Sequence, residues 1–294
     1  MVDYLAERAN YLHLIRNYFA DQNVLEVFTD SLLSYPVSDP FIDSASVILN
    51  KNISKEQKFF LHTSPEIEMK KLLKDGSGDI YQICKVFRDN EFGERNFNEF
   101  LMLEYYRVNF DMNQLMDDLE YLLKSIGFSK KISRYSYQEI FSKYTDIDIY
   151  HSSLEELQAL CEANGLSFEK MDLADLQIML FVHLIEGHLK DIPACYIYDF
   201  PKSQSALAKI DGNVAKRFEL YLGGIEVANG YDELQNMKDY EIRFHDELSK
   251  RKSLDLTVNN FDQDFVSQGK DLVQCSGVAI GLDRLFEVLN LDNE

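Results

Sequence analysis

Residues 218–234, FELYLGGIEVANGYDEL, constrain this chain more than any other stretch. Gly223-Gly224 is a two-residue turn signal between runs that alternate apolar and polar residues, which is the pattern of a β-hairpin. With the turn at those glycines, Leu222 faces Ile225, Tyr221 faces Glu226 and Glu219 faces Ala228. Residues directly opposite share a face, as do residues two apart on one strand. Glu219 and Glu226 then become diagonal neighbours, about 7–8 Å apart. Two carboxylates at that separation repel unless a cation lies between them. The segment is therefore either a solvent-facing acidic hairpin or the holder of a hard divalent ion such as Mg²⁺, shared with phosphates.

The chain carries 50 acidic and 30 basic residues, a formal net charge of −20. Such a field repels nucleic acid unless a local basic patch overcomes it, and it attracts small cations. The basic clusters Lys70-Lys71, Lys130-Lys131 and Lys250-Arg251-Lys252 are too short for a nucleic-acid-binding stripe, so neither DNA nor tRNA is an expected partner. The length, 294 residues, suits one large domain or two small ones, and 46% hydrophobic residues supply a sizeable core. No linker or repeat divides the sequence, so a single domain over residues 1–294 is expected. Cys84, Cys161, Cys195 and Cys275 are scattered, with no CxxC pair. They argue for a reducing compartment and against a zinc site or disulfide framework. MVDYLAERAN lacks the apolar stretch of a signal peptide, and no run of about 18 apolar residues occurs. A cytoplasmic protein without a membrane partner is the expectation.

Leu5, Ala9, Leu12, Ile15 and Phe19 recur at spacings of three and four and predict an amphipathic first helix. Residues 24–29 read as a strand and 34–57 as a loop. Thr63-Ser64-Pro65-Glu66, ahead of IEMKKLLK, supplies an N-cap, a first-turn proline and a capping-box glutamate. Further strands are expected at 81–87, 100–108, 195–200 and 278–281, and helices at 112–126, 153–163, 173–190, about 238–252, and 282–290. Hairpin-tied strands with helices beside them indicate an α+β fold around an antiparallel sheet.

Several residues point to chemistry. Phe100, Met102, Glu104 and Tyr106 share one face of a strand by period two. The set fits either a half-buried edge strand or a pocket, with Phe100 stacking a base and Glu104 and Tyr106 binding a cationic amine. Arg88, at the end of the preceding strand, is either a surface arginine or a bidentate grip on phosphate or carboxylate. Glu66 is a capping-box residue, a pocket acid, or both. Glu233 is either a solvated turn acid or a pocket acid facing an ammonium group, an attraction that is strong in low dielectric. Arg284 falls in the first turn of the last helix, where the macrodipole disfavours a cation. Either Asp283 or a bound polyphosphate would resolve that, and Gly281 would let a ligand approach the backbone. The six histidines show no ligand spacing, and no Walker loop, GxSxG or GxGxxG is present.

Taken in order, these segments resemble the class II aminoacyl-tRNA synthetases. Phe87-Arg88…Asn98-Glu99-Phe100…Met102-Leu103-Glu104…Tyr106-Arg107 is similar to their motif 2. Gly277…Gly281-Leu282-Asp283-Arg284-Leu285 is similar to motif 3, and FADQNVLEVFT at 19–29 to motif 1, the dimerisation element. TSPE at 63–66 and GIEVANGYDEL at 224–234 resemble the lysyl branch. FPKSQSALA at 200–208 and the Cys-Ser-Gly before motif 3 resemble its shortened relatives, the elongation factor P–lysine ligases. Asp30 departs from the proline that usually ends motif 1. Arg88-Asp89-Asn90 replaces Arg-x-Glu, and Asn96-Phe97-Asn98-Glu99-Phe100 replaces His-Asn-Pro-Glu-Phe.

The resemblance implies a class II catalytic core without the anticodon-binding domain, acting as a homodimer. It implies an ATP-dependent ligase that forms an aminoacyl-adenylate from lysine, by preference (R)-β-lysine, and transfers it to a lysine side chain of elongation factor P. Arg88 and Arg284 become the catalytic residues. Ser64, Pro65, Glu66, Glu104, Tyr106, Asn229 and Glu233 become the amino-acid pocket. Arg88, Asp89, Asn90, Phe97, Phe100, Glu226, Val227, Gly281 and Arg284 become the ATP site, and Glu219 and Glu226 the Mg²⁺ ligands. The alternatives are a truncated lysyl-tRNA synthetase-like enzyme acylating tRNA or another acceptor, and a catalytically inactive binding module.

Overall fold

The computed structural model describes residues 2–50, 56–93, 95–258, 260–267 and 270–291. Its strands, in chain order, are β1 (Leu25–Glu26), β2 (Leu32–Leu33), β3 (Ser46–Leu49), β4 (Gln57–Leu61), β5 (Ile80–Phe87), β6 (Glu99–Val108), β7 (Ser133–Ser136), β8 (Ala194–Pro201), β9 (Ile210–Asp211), β10 (Val214–Leu222), β11 (Ile225–Asp232) and β12 (Cys275–Gly281). The helices are α1 (Val2–Asp21), α2 (Glu66–Lys74), α3 (Met112–Ser125), α4 (Tyr137–Tyr144), α5 (Leu154–Ala163), α6 (Leu173–Leu180), α7 (Gly187–Leu189), α8 (Met237–Ser253), α9 (Gln263–Ser267) and α10 (Leu282–Leu291). A π-helical segment, Phe181–Glu186, joins α6 to α7, so the expected 173–190 helix is nearly continuous.

A nine-stranded sheet runs β1-β5-β6-β12-β11-β10-β8-β7, with β9 paired to β10. Its interior pairs are antiparallel, but β1 runs parallel to β5 and β7 parallel to β8. The α+β architecture is as expected, and the sheet is mixed rather than antiparallel throughout. The two parallel edges are reached by long connections, as parallel pairing requires. One face of the sheet is packed by α1, α3 and α10. Phe19, Leu103, Tyr105, Phe218, Leu220, Val278, Ile280 and Phe286 are buried together there. Each contributes roughly 1.5–3 kcal/mol by burial. Alternation along the same strands turns the intervening side chains to the opposite face, where the cavity lies.

Local expectations differ from the structure in identifiable ways. The 24–29 strand shortens to Leu25–Glu26, because the chain leaves the sheet edge directly after pairing with Ile80 and Tyr81. The 34–57 loop contains β3, which pairs with β4 in a small three-stranded sheet, β2-β4-β3; residues 51–55 of that loop lie outside the described residues. The last strand starts at Cys275 rather than 278. β7 and α4 were not expected at all; Ser136 and Glu139 cap α4 reciprocally. α2 starts at Glu66, and the anticipated capping box does not form. Ser64 Oγ accepts from the Glu66 amide at 3.1 Å, while the Glu66 carboxylate turns to Lys70.

The hairpin carries the most consequential difference. Gly223 and Gly224 have φ of 55° and 80°, the positive values a tight hairpin turn needs. Leu222 pairs with Ile225 and Tyr221 with Glu226, as expected. Beyond them, Leu220 pairs with Ala228 and Glu219 with Asn229, so the expected Glu219–Ala228 pair is corrected: Val227 is an extra residue, a bulge. Val227 and Ala228 both join the core. The slip reverses parity for the rest of the strand. Glu226, Asn229, Tyr231 and Glu233, which no uninterrupted strand could present on one side, all line the cavity.

Candidate active site

The cavity, about 320 Å³, is built over β12. Gly277, Ala279 and Gly281 line it, while Val278 and Ile280 point into the core. This run of small residues makes a low floor between taller walls. Gly277 lies between Tyr106 on β6 and Tyr231 on β11, and Ala279 between Glu104 and Asn229. A methyl on Gly277 would sit 2.3 Å from the Tyr106 ring and 2.6 Å from Glu233 Oε1. Glycine there lets the two walls close together.

At one end, carboxylates from three elements converge. Glu104 on β6 is 3% exposed and Glu233, just after β11, is also 3% exposed. Glu66 comes from the start of α2. Tyr106 donates to Glu104 Oε1 at 2.6 Å, leaving buried Oε2 without a hydrogen-bond partner among the described residues. Burial, then the Glu66 charge, push the Glu104 carboxyl up to about 8. Behind the acids stands Lys70, fully buried, 2.6 Å from Glu66 Oε1 and 2.6 Å from Glu233 Oε2. Burial opposes its charge, but Glu233 and Glu66 overcome it and hold the ammonium form. Burial also raises the Glu233 carboxyl, to about 7, against the pull of Lys70. A pocket with an orphaned buried carboxylate oxygen can take a further organic cation.

The other end is cationic. The Arg88 guanidinium lies over the Phe100 ring, 5.2 Å from its centroid, and its buried Nε has no hydrogen-bond partner among the described residues. Arg284 donates to the Glu226 carbonyl at 3.0 Å and to Asn96 Oδ1 at 2.9 Å. Asp283 does not neutralise it: that carboxylate pairs with Arg8 at 2.5 Å and accepts from the Leu101 amide at 2.7 Å. Two arginines lacking a carboxylate ion pair among the described residues, one of them over an aromatic ring, suit a nucleotide with its phosphates.

Glu226 stands between the ends. Its carboxyl is pushed up to about 7 by burial first and then by the Glu219 charge. Glu219 sits one layer back rather than on the cavity wall, accepting from Arg217 Nη2 at 2.5 Å and Tyr221 Oη at 2.7 Å. No group of three or more His, Cys, Asp or Glu that could hold a metal gathers among the described residues. Glu226, on the cavity wall, is the carboxylate that could hold Mg²⁺ with phosphates completing its shell, and Glu219 behind it could join only by giving up Arg217 or Tyr221. The mutual repulsion that raises Glu226 is what a divalent ion would relieve.

The structure gathers Ser64, Glu66, Arg88, Phe97, Phe100, Glu104, Tyr106, Glu226, Val227, Asn229, Glu233, Gly281 and Arg284 around one cavity. It does not bring Pro65, Asp89 or Asn90 to the lining. The Asn90 amide is tied to Asp43 at 3.1 Å, and Glu91 and Asn96 line the cavity in that loop. Sequence reasoning missed Lys70 and Arg217. Arg217 donates to Asn229 Oδ1 at 3.2 Å and the Gln204 carbonyl at 2.9 Å. The available signals were the Glu66–Lys70 spacing of one helical turn and the Arg217-x-Glu219-x-Tyr221 alternation. It also missed Ser38, Asp39 and Glu247, which line the cavity from the 34–50 segment and α8.

A family model, tRNA synthetases class II (D, K and N), matches residues 1–293. Among curated relatives, the elongation factor P–(R)-β-lysine ligase of Avibacterium paragallinarum is 39% identical, covering 98% of this chain and 92% of its own. The ligases of the same name from Haemophilus ducreyi and Vibrio cholerae are each 38% identical, covering 96% and 97% of this chain and 88% and 90% of theirs. The cavity's acid end and arginine end thus lie on a chain that belongs to the class II tRNA synthetase family, in its aspartyl, lysyl and asparaginyl group.

Proposed function

We propose that this chain is an ATP-dependent, AMP-forming ligase that adenylates (R)-β-lysine and transfers it to a lysine side chain of elongation factor P. The names of the relatives support the substrate and acceptor. The observation that carries the reading is the polarity of the cavity, with acids at one end and, at the other, two arginines that have no carboxylate ion pair among the described residues.

In the first step a carboxylate oxygen of the amino acid attacks the α-phosphorus. The bond from that phosphorus to the β-phosphate oxygen breaks, and pyrophosphate leaves. Glu66, Glu104 and Glu233 hold the ammonium groups, Tyr106 and Asn229 orient them, and Ser64 completes the wall. Phe100 stacks the adenine, with Phe97 beside it. Arg88 neutralises charge at the α-phosphate and Arg284 at the departing pyrophosphate. Mg²⁺, held by Glu226 with Glu219 behind it, supplies charge neutralisation on the phosphate oxygens when bound. Positioning and electrostatics provide the rate, with no protein nucleophile. In the second step the acceptor amine attacks the acyl carbon, AMP leaves and the amine loses a proton.

A homodimer through residues 19–29 is supported by Leu25 and Phe28, 57% and 81% exposed. The net charge of −20 favours a protein acceptor over tRNA, and four unpaired cysteines suit the cytoplasm. Among the described residues no helix is long and apolar enough to cross a membrane. The test is to incubate the protein with ATP, each lysine isomer and elongation factor P, and weigh the factor by mass spectrometry. The expected outcome is one β-lysyl adduct on a lysine; an unmodified factor with every isomer contradicts the reading.

A further inference from the structure

Lys70 is the cation that bridges Glu66 and Glu233 at the acid end, and it is not among the residues that line the cavity. It projects from α2 one turn after Glu66, is 0% exposed, and lies 5.2 Å from the centroid of the Tyr240 ring on α8. Its 2.6 Å contacts join two acids that start from different elements, one on α2 and one beyond β11. Both of those acids do line the cavity. Enclosed as it is, the ammonium cannot leave when a ligand enters.

We infer that Lys70 is a positioning residue, a built-in counter-ion that fixes Glu66 and Glu233 in place and keeps them available to share their remaining lone pairs with the two ammonium groups of a diamino acid. The inference rests on the amino-acid pocket proposed above. Without Lys70, the part-exposed Glu66 carboxylate would face buried Glu233 with no cation between them, and Glu233 would take up a proton more readily, losing its hold on a cation. The groups around the ammonium are Glu66 on α2, Glu233 beyond β11, Glu104 on β6, Tyr231 on β11, Tyr240 on α8 and Cys275 on β12. Arg217 on β10, which lines the same cavity and also acts on Tyr231, is paired with Glu219 rather than with these acids.

The test is the pH dependence of KM for (R)-β-lysine in ATP–pyrophosphate exchange, with ATP affinity measured alongside. Lys70→Met is expected to raise KM at pH 7 by about tenfold or more and to move the pH at which KM levels off upward by about one unit, with ATP affinity unchanged. Lys70→Arg, which keeps the charge, is expected to restore the wild-type pH profile. A KM and pH profile unchanged in Lys70→Met overturn the inference. Should Lys70→Met not fold, Lys70→Met combined with Glu66→Gln removes the repulsion. It is then compared with Glu66→Gln alone, where a higher KM and a shifted profile support the inference and identical values overturn it. Full turnover in Glu233→Gln would instead defeat the pocket reading itself. Loss in Glu233→Gln beside an unmoved Lys70→Met defeats only the role given to Lys70.

Discussion

At the amine end of the cavity three carboxylates crowd around a single buried ammonium, whereas at the phosphate end Arg88 and Arg284 stand with no carboxylate partner among the described residues. Both ends offer charge opposite to what they receive, but they keep it differently. Three carboxylates this close, two of them buried, resist ionising together, so the acid end carries its own cation, and burial with the Glu66 charge holds Glu104 mostly protonated near neutral pH. Guanidinium groups stay charged regardless, and they need only a ring face or neutral acceptors to hold their direction. The comparison teaches that an acidic site can be electrically balanced before its ligand arrives, while a phosphate site is left open for the anion to complete.

The largest effect should come from breaking the acid end alone. Glu233→Gln is expected to lower kcat/KM for the diamino acid by about a thousandfold while ATP binding stays close to wild type, read by pyrophosphate exchange and calorimetry. The mirror-image change, Arg284→Ala, should cost about a hundredfold in kcat and leave affinity for the amino acid nearly intact, in the same exchange assay. Equal loss of both ligands in either variant would mean that the two ends do not act separately.

Gly277→Ala sharpens the comparison by acting on the floor between the walls. The added methyl meets Tyr106 and Glu233, so stability should fall by about 1–3 kcal/mol in a denaturant titration and KM for the amino acid should rise more than KM for ATP. The smallest effect is that of pH. The Glu104 carboxyl titrates near 8, above its ordinary range, so it is neutral below that pH and attracts a cation only as it ionises. KM for the amino acid should therefore fall, by at most about tenfold per pH unit, as pH rises toward 8, with a proton released on binding that calorimetry in buffers of different ionisation enthalpy would detect. KM for ATP should not follow that trend.

Much of this site was legible because β-strand alternation is local. Phe100, Met102, Glu104 and Tyr106 needed only period two, and the Gly223-Gly224 turn needed only the positive φ that glycine supplies. The bulge at Val227 was not legible, because it is set by the packing of Val227 and Ala228 into the core rather than by turn chemistry. Lys70 read only as half of a short basic cluster with Lys71, since its ion pair with Glu233 comes from far along the chain. Glu66 matched a capping box, and the ion pair with Lys70 outcompeted that local bond. The short β7 and α4 carried weak periodicity, and they form against the β8 edge and the buried faces of α6 and the π-helical segment.

The central claim, that the acid end selects an organic dication, is tested most directly by comparing pyrophosphate exchange with (R)-β-lysine and with the same chain lacking its terminal amine. Exchange at least about a hundredfold greater for the diamino acid is predicted; equal exchange with the two would contradict the account.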